Sequence, residues 1–433
     1  MKIQTKAILI LAGLMAGLAV KYITGPSIQS FGTDFTPPEP EATSLRVSGF
    51  FSDDPQFSSI DSEVERFLQR NEMAGASVAI AKDGDMVFAK GYGWADQDNR
   101  IRTEPYHLFR VASVSKLITA AGIMKLVEQD VISLDDPVFG PEGILNHPPY
   151  DSYADKKVED IKVVHLLNHS GGWTNRWGDP LFIPSAVARG LGKEQPVDAT
   201  DIIQYMLGKR LHFQPGTRSS YSNLGYVILG KVIEEASNTD YESFIKTNIL
   251  YPLGIFDMRL GGSYLTERAE LEVKYYEPSN TYLVRDHRNN RKKVKRSYGG
   301  NDIKTLGPAG GWLASATDLL KFMLAIDGLN LSDDILSQES IETMTISQKP
   351  YLDPIGWRGV RKGDSWYRTG TLAGTSALMM RKDDGFSYVV LFNSSTWKGS
   401  MLASDIRQMM NRAIYKTEEW PEYNLFKLAS SWE

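Results

Sequence analysis

Two stretches near opposite ends of the chain place apolar runs on either side of a short polar turn. The first, GASVAIAKDGDMVFAKGYGWAD, begins at Gly75 and turns at residues 82–84. The second, TSALMMRKDDGFSYVVLFNSS, covers residues 375–395 and turns at residues 383–385. Such runs around a glycine turn are typical of β-hairpins, because glycine readily adopts the positive φ that these turns need. We therefore predict one hairpin near each end of the chain.

Helical periodicity dominates between and after these hairpins. GYVILGKVIEEAS, residues 225–237, has one apolar face and ends before Asn238. Ser315 precedes LLKFMLAI at the spacing of an N-terminal cap, and residues 402–414 carry an amphipathic pattern. We predict an α+β fold, in which an antiparallel sheet built from distant segments is flanked by helices and joined to a mainly helical second subdomain.

The same patterns predict the domain organisation. The folded domain is expected at residues 51–420, with a discontinuous α/β part at about 51–120 and 300–420 and a helical insert at about 121–299. Before it, two lysines precede an apolar run at residues 7–20, which predicts a signal peptide or N-terminal anchor at 1–24. Residues 25–50 are predicted to be a linker. We therefore expect export to the periplasm or medium, or a membrane tether through this segment.

Composition excludes several kinds of chemistry. The 433 residues include no cysteine, which removes disulfides, a thiol nucleophile and thiolate metal sites. A net charge of -5 gives no overall reason to expect a nucleic-acid partner. His165 and His169 in HLLNH have metal-like spacing but lack an acidic third ligand, so we interpret both as structural and predict no metal or cofactor. The basic stretch RDHRNNRKKVKR, residues 285–296, is interpreted as a solvated loop, with an anion-binding patch as the alternative.

A candidate nucleophile lies in FRVASVSKLITA, residues 109–120. The run predicts a core helix whose first turn carries Ser113, and Lys116 shares that face because it lies three residues later. Burial would lower the pKa of the lysine toward values at which it accepts a proton from the serine. The S-x-x-K spacing recurs at Ser243 and Ser395, so alone it is not specific.

Two further segments supply residue types that such a serine needs. In residues 213–229, Tyr221 and Asn223 stand just before a helix; a tyrosine beside a lysine ammonium can exchange protons with a serine, and the amide suits a substrate ester or amide. In residues 366–377, a predicted strand presents Arg368, Thr369, Gly370 and Thr371 to a ligand. The N–H groups of Thr371 and Ser113 could together form an oxyanion hole. Taken singly, an ordinary loop tyrosine and a plain strand are the alternatives.

Together, SVSK, YSN and RTG resemble the three-part signature of the serine β-lactamase and penicillin-binding-protein superfamily, in its class C-related, CubicO-type branch of esterases, peptidases and lactamases. HLLNHSGGW, YPLGI and GPAGGWLASATDLLKF are similar to family landmarks, and the resemblance covers about residues 60–415. It implies a β-lactamase/transpeptidase-like fold. It also implies that Ser113 attacks a carbonyl, that Lys116 and Tyr221 share base and acid duty, and that Asn223 binds the substrate.

Arg368 departs from the resemblance, because lactamases and carboxypeptidases of the family usually have lysine there and many esterases have histidine. Arginine can grip a carboxylate but hardly shuttles a proton, which disfavours ordinary β-lactam turnover. We expect a serine hydrolase acting on a small ester, amide or peptide, with carboxylesterase or peptidase favoured over β-lactamase or D,D-peptidase. A binding protein that keeps the fold without turnover is the alternative from another class.

Overall fold

The computed structural model describes residues 44–329, 334–347, 349–361 and 363–430. The predicted signal peptide or anchor, and the linker as far as residue 43, lie outside the described residues. Ser44 Oγ accepts hydrogen bonds from the backbone N–H groups of Phe256 and Asp257, and Val47 is buried, so these residues of the predicted linker contact the domain. Within the described part, no helix is both long enough and apolar enough to cross a bilayer.

A seven-stranded antiparallel sheet joins the two ends of the described chain. The strands described are, in chain order, β1 (Gly75–Lys82), β2 (Asp85–Asp96), β3 (Ile101–Arg102), β4 (Phe109–Arg110), β5 (Arg259–Leu260), β6 (Val284–Arg285), β7 (Lys293–Val294), β8 (Trp312–Ala314), β9 (Gly359–Arg361), β10 (Ser365–Leu372), β11 (Thr375–Lys382) and β12 (Phe386–Phe392). The sheet order is β3-β2-β1-β12-β11-β10-β9. Both predicted hairpins are confirmed as β1–β2 and β11–β12, and β1 pairs with β12.

Helices cover both faces of this sheet. The α-helices described are, in chain order, α1 (Ser58–Arg70), α2 (Ser115–Glu128), α3 (Val163–Leu167), α4 (Pro184–Gly190), α5 (Ala199–Leu207), α6 (Asn223–Ser237), α7 (Tyr241–Ile245), α8 (Ile303–Gly310), α9 (Ala316–Leu324), α10 (Gln338–Thr345), α11 (Leu402–Lys416) and α12 (Leu425–Ser430). The predicted ends of two helices are confirmed. Asn238 ends α6 in the left-handed region with φ 52°, and Ser315 caps α9 by accepting from the Asp318 N–H.

Alternate residues of the central strands face two separate cores. Val78 and Ile80 of β1 pack with the apolar faces of α1 and α11, whereas Ala79 and Ala81 join the larger core that contains α2 and α9. Because both faces are buried, the strands read as nearly continuous apolar runs in the sequence. This arrangement confirms the predicted α+β fold.

The helical part rests on α2, which is buried along most of its length and contacts α6 and α8. A small sheet of β4, β8 and β5 lies beside it, and β4 leads directly into the turn that carries Ser113. A separate two-stranded ribbon is formed by β6 and β7. The boundaries between the two predicted parts of the domain stay predictions.

Candidate active site

Ser113 lies on a tight turn between β4 and α2. The turn is a 3-10 helix, Ala112–Val114, and Ala112 has φ 48°, a left-handed conformation that costs a non-glycine residue about 1 kcal/mol or more. Ala112 is fully buried, so packing holds this conformation in place. The strained turn places Ser113 two residues before the start of α2, with its side chain partly exposed.

Tyr221 is the residue whose side chain contacts the serine oxygen. Its hydroxyl donates to Ser113 Oγ at 2.8 Å. His169 holds the residues on either side of Tyr221. Its carbonyl accepts from the Ser220 N–H, and its Nδ1 accepts from the Ser222 N–H. The His169 ring also packs against the Tyr221 ring, with centroids 4.6 Å apart. Burial, together with the nearby cations, lowers the pKa of His169 well below its usual value, so this imidazole is a neutral support.

Lys116 is fully buried beneath the tyrosine. Its Nζ donates to Asn223 Oδ1 at 2.7 Å and to the Ala309 carbonyl at 2.6 Å, and it lies 4.9 Å from the centre of the Tyr221 ring. Burial lowers the pKa of Lys116 to about 8. This pKa is close enough to neutral pH for the lysine to give up its proton. The sequence predicted that Lys116 and Tyr221 could both exchange a proton with Ser113. In the structure the Tyr221 hydroxyl contacts Ser113 Oγ, and Lys116 Nζ contacts the Tyr221 ring.

The two cations next to Tyr221 set its acidity. Burial by itself raises the pKa of a phenol, but the charges of Lys116 and Arg368 favour the phenolate and together lower the pKa of Tyr221 to about 8. An ordinary tyrosine loses its proton near pH 10. Tyr221 is therefore suited to take the proton from Ser113 at mildly alkaline pH.

Arg368 on β10 is directed into the protein. Its Nε donates to the Ser113 backbone carbonyl at 2.8 Å, and its Nη2 reaches the Tyr221 hydroxyl at 3.4 Å. Only 1% of its surface is exposed, which leaves little room for a substrate carboxylate. The geometry favours a role in fixing Ser113 and lowering the pKa of Tyr221 over the carboxylate grip expected from sequence.

Gly370 lets β10 approach the serine turn. A Cβ at this position would lie 2.0 Å from the Val111 carbonyl oxygen, so only glycine fits. Thr369 and Thr371 flank it, and both are partly exposed. The Tyr367 carbonyl accepts from the Arg358 N–H on the β9 side of the strand, and alternation directs the Thr371 N–H to the same side, beyond the last residue that pairs with β9. The Thr371 N–H is thus directed toward the open edge, as an oxyanion donor requires.

Asn223 bridges two charged groups, and one of them was not found from the sequence. Its Oδ1 accepts from Lys116, and its Nδ2 donates to Asp179 Oδ2 at 2.7 Å. Asp179 also caps the short 3-10 helix Pro180–Phe182, and burial raises the pKa of its carboxyl. In the sequence GDP, Asp179 looks like an ordinary cap, so nothing in the sequence indicated its contact with Asn223.

Among the described residues, no group of three or more His, Asp or Glu side chains is placed to hold a metal ion.

The described fold brings Ser113, Lys116 and Tyr221 together in one network. A family model described as Beta-lactamase matches residues 60–408. The chain belongs to this family, and the resemblance drawn from the sequence motifs is confirmed.

Similar proteins agree with this family. Protein flp of Staphylococcus aureus (strain COL) is 29% identical over 199 residues, 45% of this chain and 36% of that protein, so the chain spans about a third of the length of the flp relatives. Penicillin-binding protein 4* of Bacillus subtilis (strain 168) is 27% identical over 331 residues, 73% of this chain and 67% of that protein. A solved structure of D-amino acid amidase from Ochrobactrum anthropi SV3 has a TM-score of 0.65 at 22% identity, over 84% of this chain and 98% of that chain. At this identity the last likeness shows the fold alone.

Proposed function

We propose that this protein is an exported serine hydrolase that cleaves a small ester, amide or peptide bond through an acyl-serine at Ser113. The observation that carries the proposal is the hydrogen bond from the Tyr221 hydroxyl to Ser113 Oγ, beside two cations that lower the pKa of the tyrosine. This is the relationship between nucleophile and base that acyl transfer requires. Carboxylesterase or peptidase-like activity is favoured.

In the proposed reaction, the Tyr221 phenolate takes the proton from Ser113 Oγ as this oxygen bonds to the substrate carbonyl carbon. The N–H groups of Ser113 and Thr371 hold the resulting oxyanion. When the bond to the leaving group breaks, Tyr221 returns the proton to the leaving oxygen or nitrogen, and an acyl-serine remains. Water then attacks the ester carbonyl and gives its proton to Tyr221. When the bond between the carbonyl carbon and Ser113 Oγ breaks, Tyr221 returns this proton to Ser113 Oγ and the acid is released.

β-Lactamase or D,D-peptidase activity is the second candidate within the same chemistry. The similarity to penicillin-binding protein 4* and to the fold of D-amino acid amidase keeps amide substrates in consideration. Arg368 in place of the usual lysine argues against ordinary β-lactam turnover, since an arginine cannot relay a proton. A binding protein without turnover is disfavoured, because Ser113, Lys116 and Tyr221 are all present and in contact through one network.

The test compares wild type with Ser113→Ala on short and long acyl esters, a D-amino-acid amide and a chromogenic cephalosporin. We expect hydrolysis of at least one substrate, and covalent labelling by a serine-directed phosphonate, both lost in Ser113→Ala. Ser243→Ala is the matched control, because Ser243 has the same S-x-x-K spacing but is exposed on α7, outside the site. Labelling that persists in Ser113→Ala, or that disappears in Ser243→Ala, would contradict the assignment of the nucleophile.

Export is tested separately. Expression of the full chain in a bacterial host, followed by mass measurement of the periplasmic, secreted and membrane fractions, should find the protein outside the cytoplasm. A mass that lacks about the first 24 residues supports cleavage, and an intact chain in the membrane fraction supports an anchor. Intact protein confined to the cytoplasm would contradict export.

A further inference from the structure

A large cleft opens beside the candidate active site. It has a volume of about 1490 Å³ and is lined by segments within residues 182–195 and 284–301 and by Leu372 and Ala373. We call it the basic cleft. Leu372 directly follows Thr371, whose N–H is the candidate oxyanion donor, so the lining of the cleft begins at the residue next to this donor. The opposite wall begins at Phe182, at the end of the short helix that Asp179 caps.

Positive charge dominates this cleft. Its cationic lining residues are Arg189, Lys193, Arg285, Arg288, Arg291 and Arg296. Its carboxylates are Glu194 and Asp286, and Asp286 already accepts hydrogen bonds from the Tyr264 hydroxyl and the Arg288 N–H. Four of the cations come from the basic segment that the sequence interpretation favoured as a solvated loop.

Most of these guanidinium groups have no internal counter-charge. Lys193 pairs with Asp201, and Arg288 pairs with Glu267 at 2.9 Å. Within the described residues, no carboxylate lies within ion-pair distance of the remaining four, which are Arg189, Arg285, Arg291 and Arg296. Arg296 donates to the Tyr282 hydroxyl. The basic cleft therefore holds several cations that the protein itself does not neutralise.

The walls of the basic cleft are connected to each other and to the active site. Gln195 Nε2 donates to the His287 carbonyl at 2.7 Å, which joins the two walls. Arg110, three residues before Ser113, donates to the Ser297 carbonyl at 2.6 Å from a buried position. In the β6–β7 ribbon Arg285 lies directly opposite Lys293, and like charges in this position destabilise a sheet.

We propose that the basic cleft binds an anionic chain of the substrate, bearing carboxylate or phosphate groups, while the carbonyl under attack lies at Ser113. Guanidinium groups suit both anions because their planar fork can donate two parallel hydrogen bonds to them. This inference rests on the proposed function, since it names the substrate class of the same site. It assigns anion recognition to Arg189, Arg285 and Arg291 and not to Arg368.

The kinetic test uses three aryl esters with one scissile bond and different tails: neutral, dicarboxylate and phosphomonoester. The triple variant Arg189→Gln, Arg285→Gln and Arg291→Gln should lose about tenfold or more in kcat/KM for an anionic ester and stay within about twofold for the neutral ester. The anionic tail that shows the larger loss identifies the preferred anion. Raising the salt concentration should reduce the advantage of the anionic esters over the neutral ester in wild type.

The matched control is Arg70→Gln with Arg100→Gln, two exposed arginines outside the cleft. Equal losses for all three esters, or no loss, would overturn the proposal.

A binding measurement separates this inference from the catalytic proposal. Fluorescent carboxylic acids with the same dicarboxylate or phosphomonoester tail are titrated into the Ser113→Ala protein, which needs no turnover. Binding that falls about tenfold when the three arginines are also replaced supports the basic cleft, even if wild type hydrolyses none of the esters. Binding that is absent, or unchanged by the arginine substitutions, would overturn the basic cleft even if Ser113 proves to be the nucleophile.

Discussion

Arg368 is hydrogen-bonded to the backbone of Ser113: its Nε donates to the Ser113 carbonyl oxygen at 2.8 Å while its Nη2 faces the Tyr221 hydroxyl. One guanidinium thus holds the serine turn and supplies charge to the tyrosine that contacts the nucleophile. Arginine stays protonated throughout the working pH range, so this charge is permanent. The pH at which Tyr221 becomes a base is therefore set jointly by Arg368 and Lys116.

The first prediction concerns Arg368→Gln. Loss of the cation raises the pKa values of both Tyr221 and Lys116, because Arg368 lowers each of them. In wild type, kcat/KM should rise with pH and level off above about 8, as the pair loses a proton. In the variant we expect this rise to move about one pH unit higher, measured as kcat/KM against pH for a neutral ester.

Arg368→Lys is the matched variant, because it retains a cation but changes the hydrogen bond to Ser113. In Arg368→Lys, kcat/KM should rise over nearly the same pH range as in wild type. Neutral and carboxylate-bearing esters should lose activity equally in Arg368→Gln. A larger loss for the carboxylate ester would restore the substrate-grip role that the sequence suggested.

The second prediction concerns Asp179→Asn, which should shift the pH dependence of kcat/KM in the opposite direction. The Asp179 carboxylate raises the pKa of Lys116, and its removal makes proton loss easier. The rise of kcat/KM should therefore move to lower pH, by about half a unit. Asparagine still offers an oxygen to Asn223 Nδ2, so the network keeps its geometry. A shift to higher pH, or none, would show that Asp179 does not act on Lys116.

Local patterns were sufficient to predict much of the fold. The hairpins, the helix at Asn223–Ser237 and the strand that carries Arg368 follow from periodicity and from caps within a few residues. The three site segments became candidates because SVSK, YSN and RTG together resemble a family signature, whereas none of these motifs is specific alone. The hairpins, this helix and this strand depend on residues that are neighbours in the sequence, so a local pattern can indicate them.

Contacts between distant segments could not be predicted in the same way. Lys116 bonds to Asn223 and to the Ala309 carbonyl, which lie 107 and 193 positions away. Helical periodicity relates Lys116 only to residues on the same helix face, such as Ser113 three residues before it. The inward direction of Arg368 depends on the turn at Ser113, 255 positions earlier. Nothing local distinguishes such an arginine from one that faces a ligand.

The third prediction concerns Tyr221→Phe, which removes the hydroxyl that contacts Ser113 and keeps the ring that packs on His169. We expect kcat to fall by about a hundredfold or more, the usual loss for a missing general base. The tyrosinate absorbance that develops near pH 8 in wild type should also disappear. Tyr226→Phe is the matched control, because its hydroxyl donates to the Leu167 carbonyl and not to Ser113. Similar activity losses in both variants would contradict a special role for Tyr221.

The last prediction concerns the close approach of β10 to the serine turn. In Gly370→Ala, the new Cβ would lie 2.0 Å from the Val111 carbonyl oxygen, so the strand or the turn must move. We expect the free energy of unfolding to fall by about 3 kcal/mol, and kcat to fall further than the folded fraction explains, since Thr371 and Ser113 would separate. Thermal unfolding and kcat measured on the folded protein separate the two effects. Gly208→Ala is the control, because its Cβ would lie an ordinary 3.4 Å from the nearest atom and its φ is -70°. Unchanged Tm and kcat in Gly370→Ala would mean that β10 does not hold the oxyanion donor against the nucleophile.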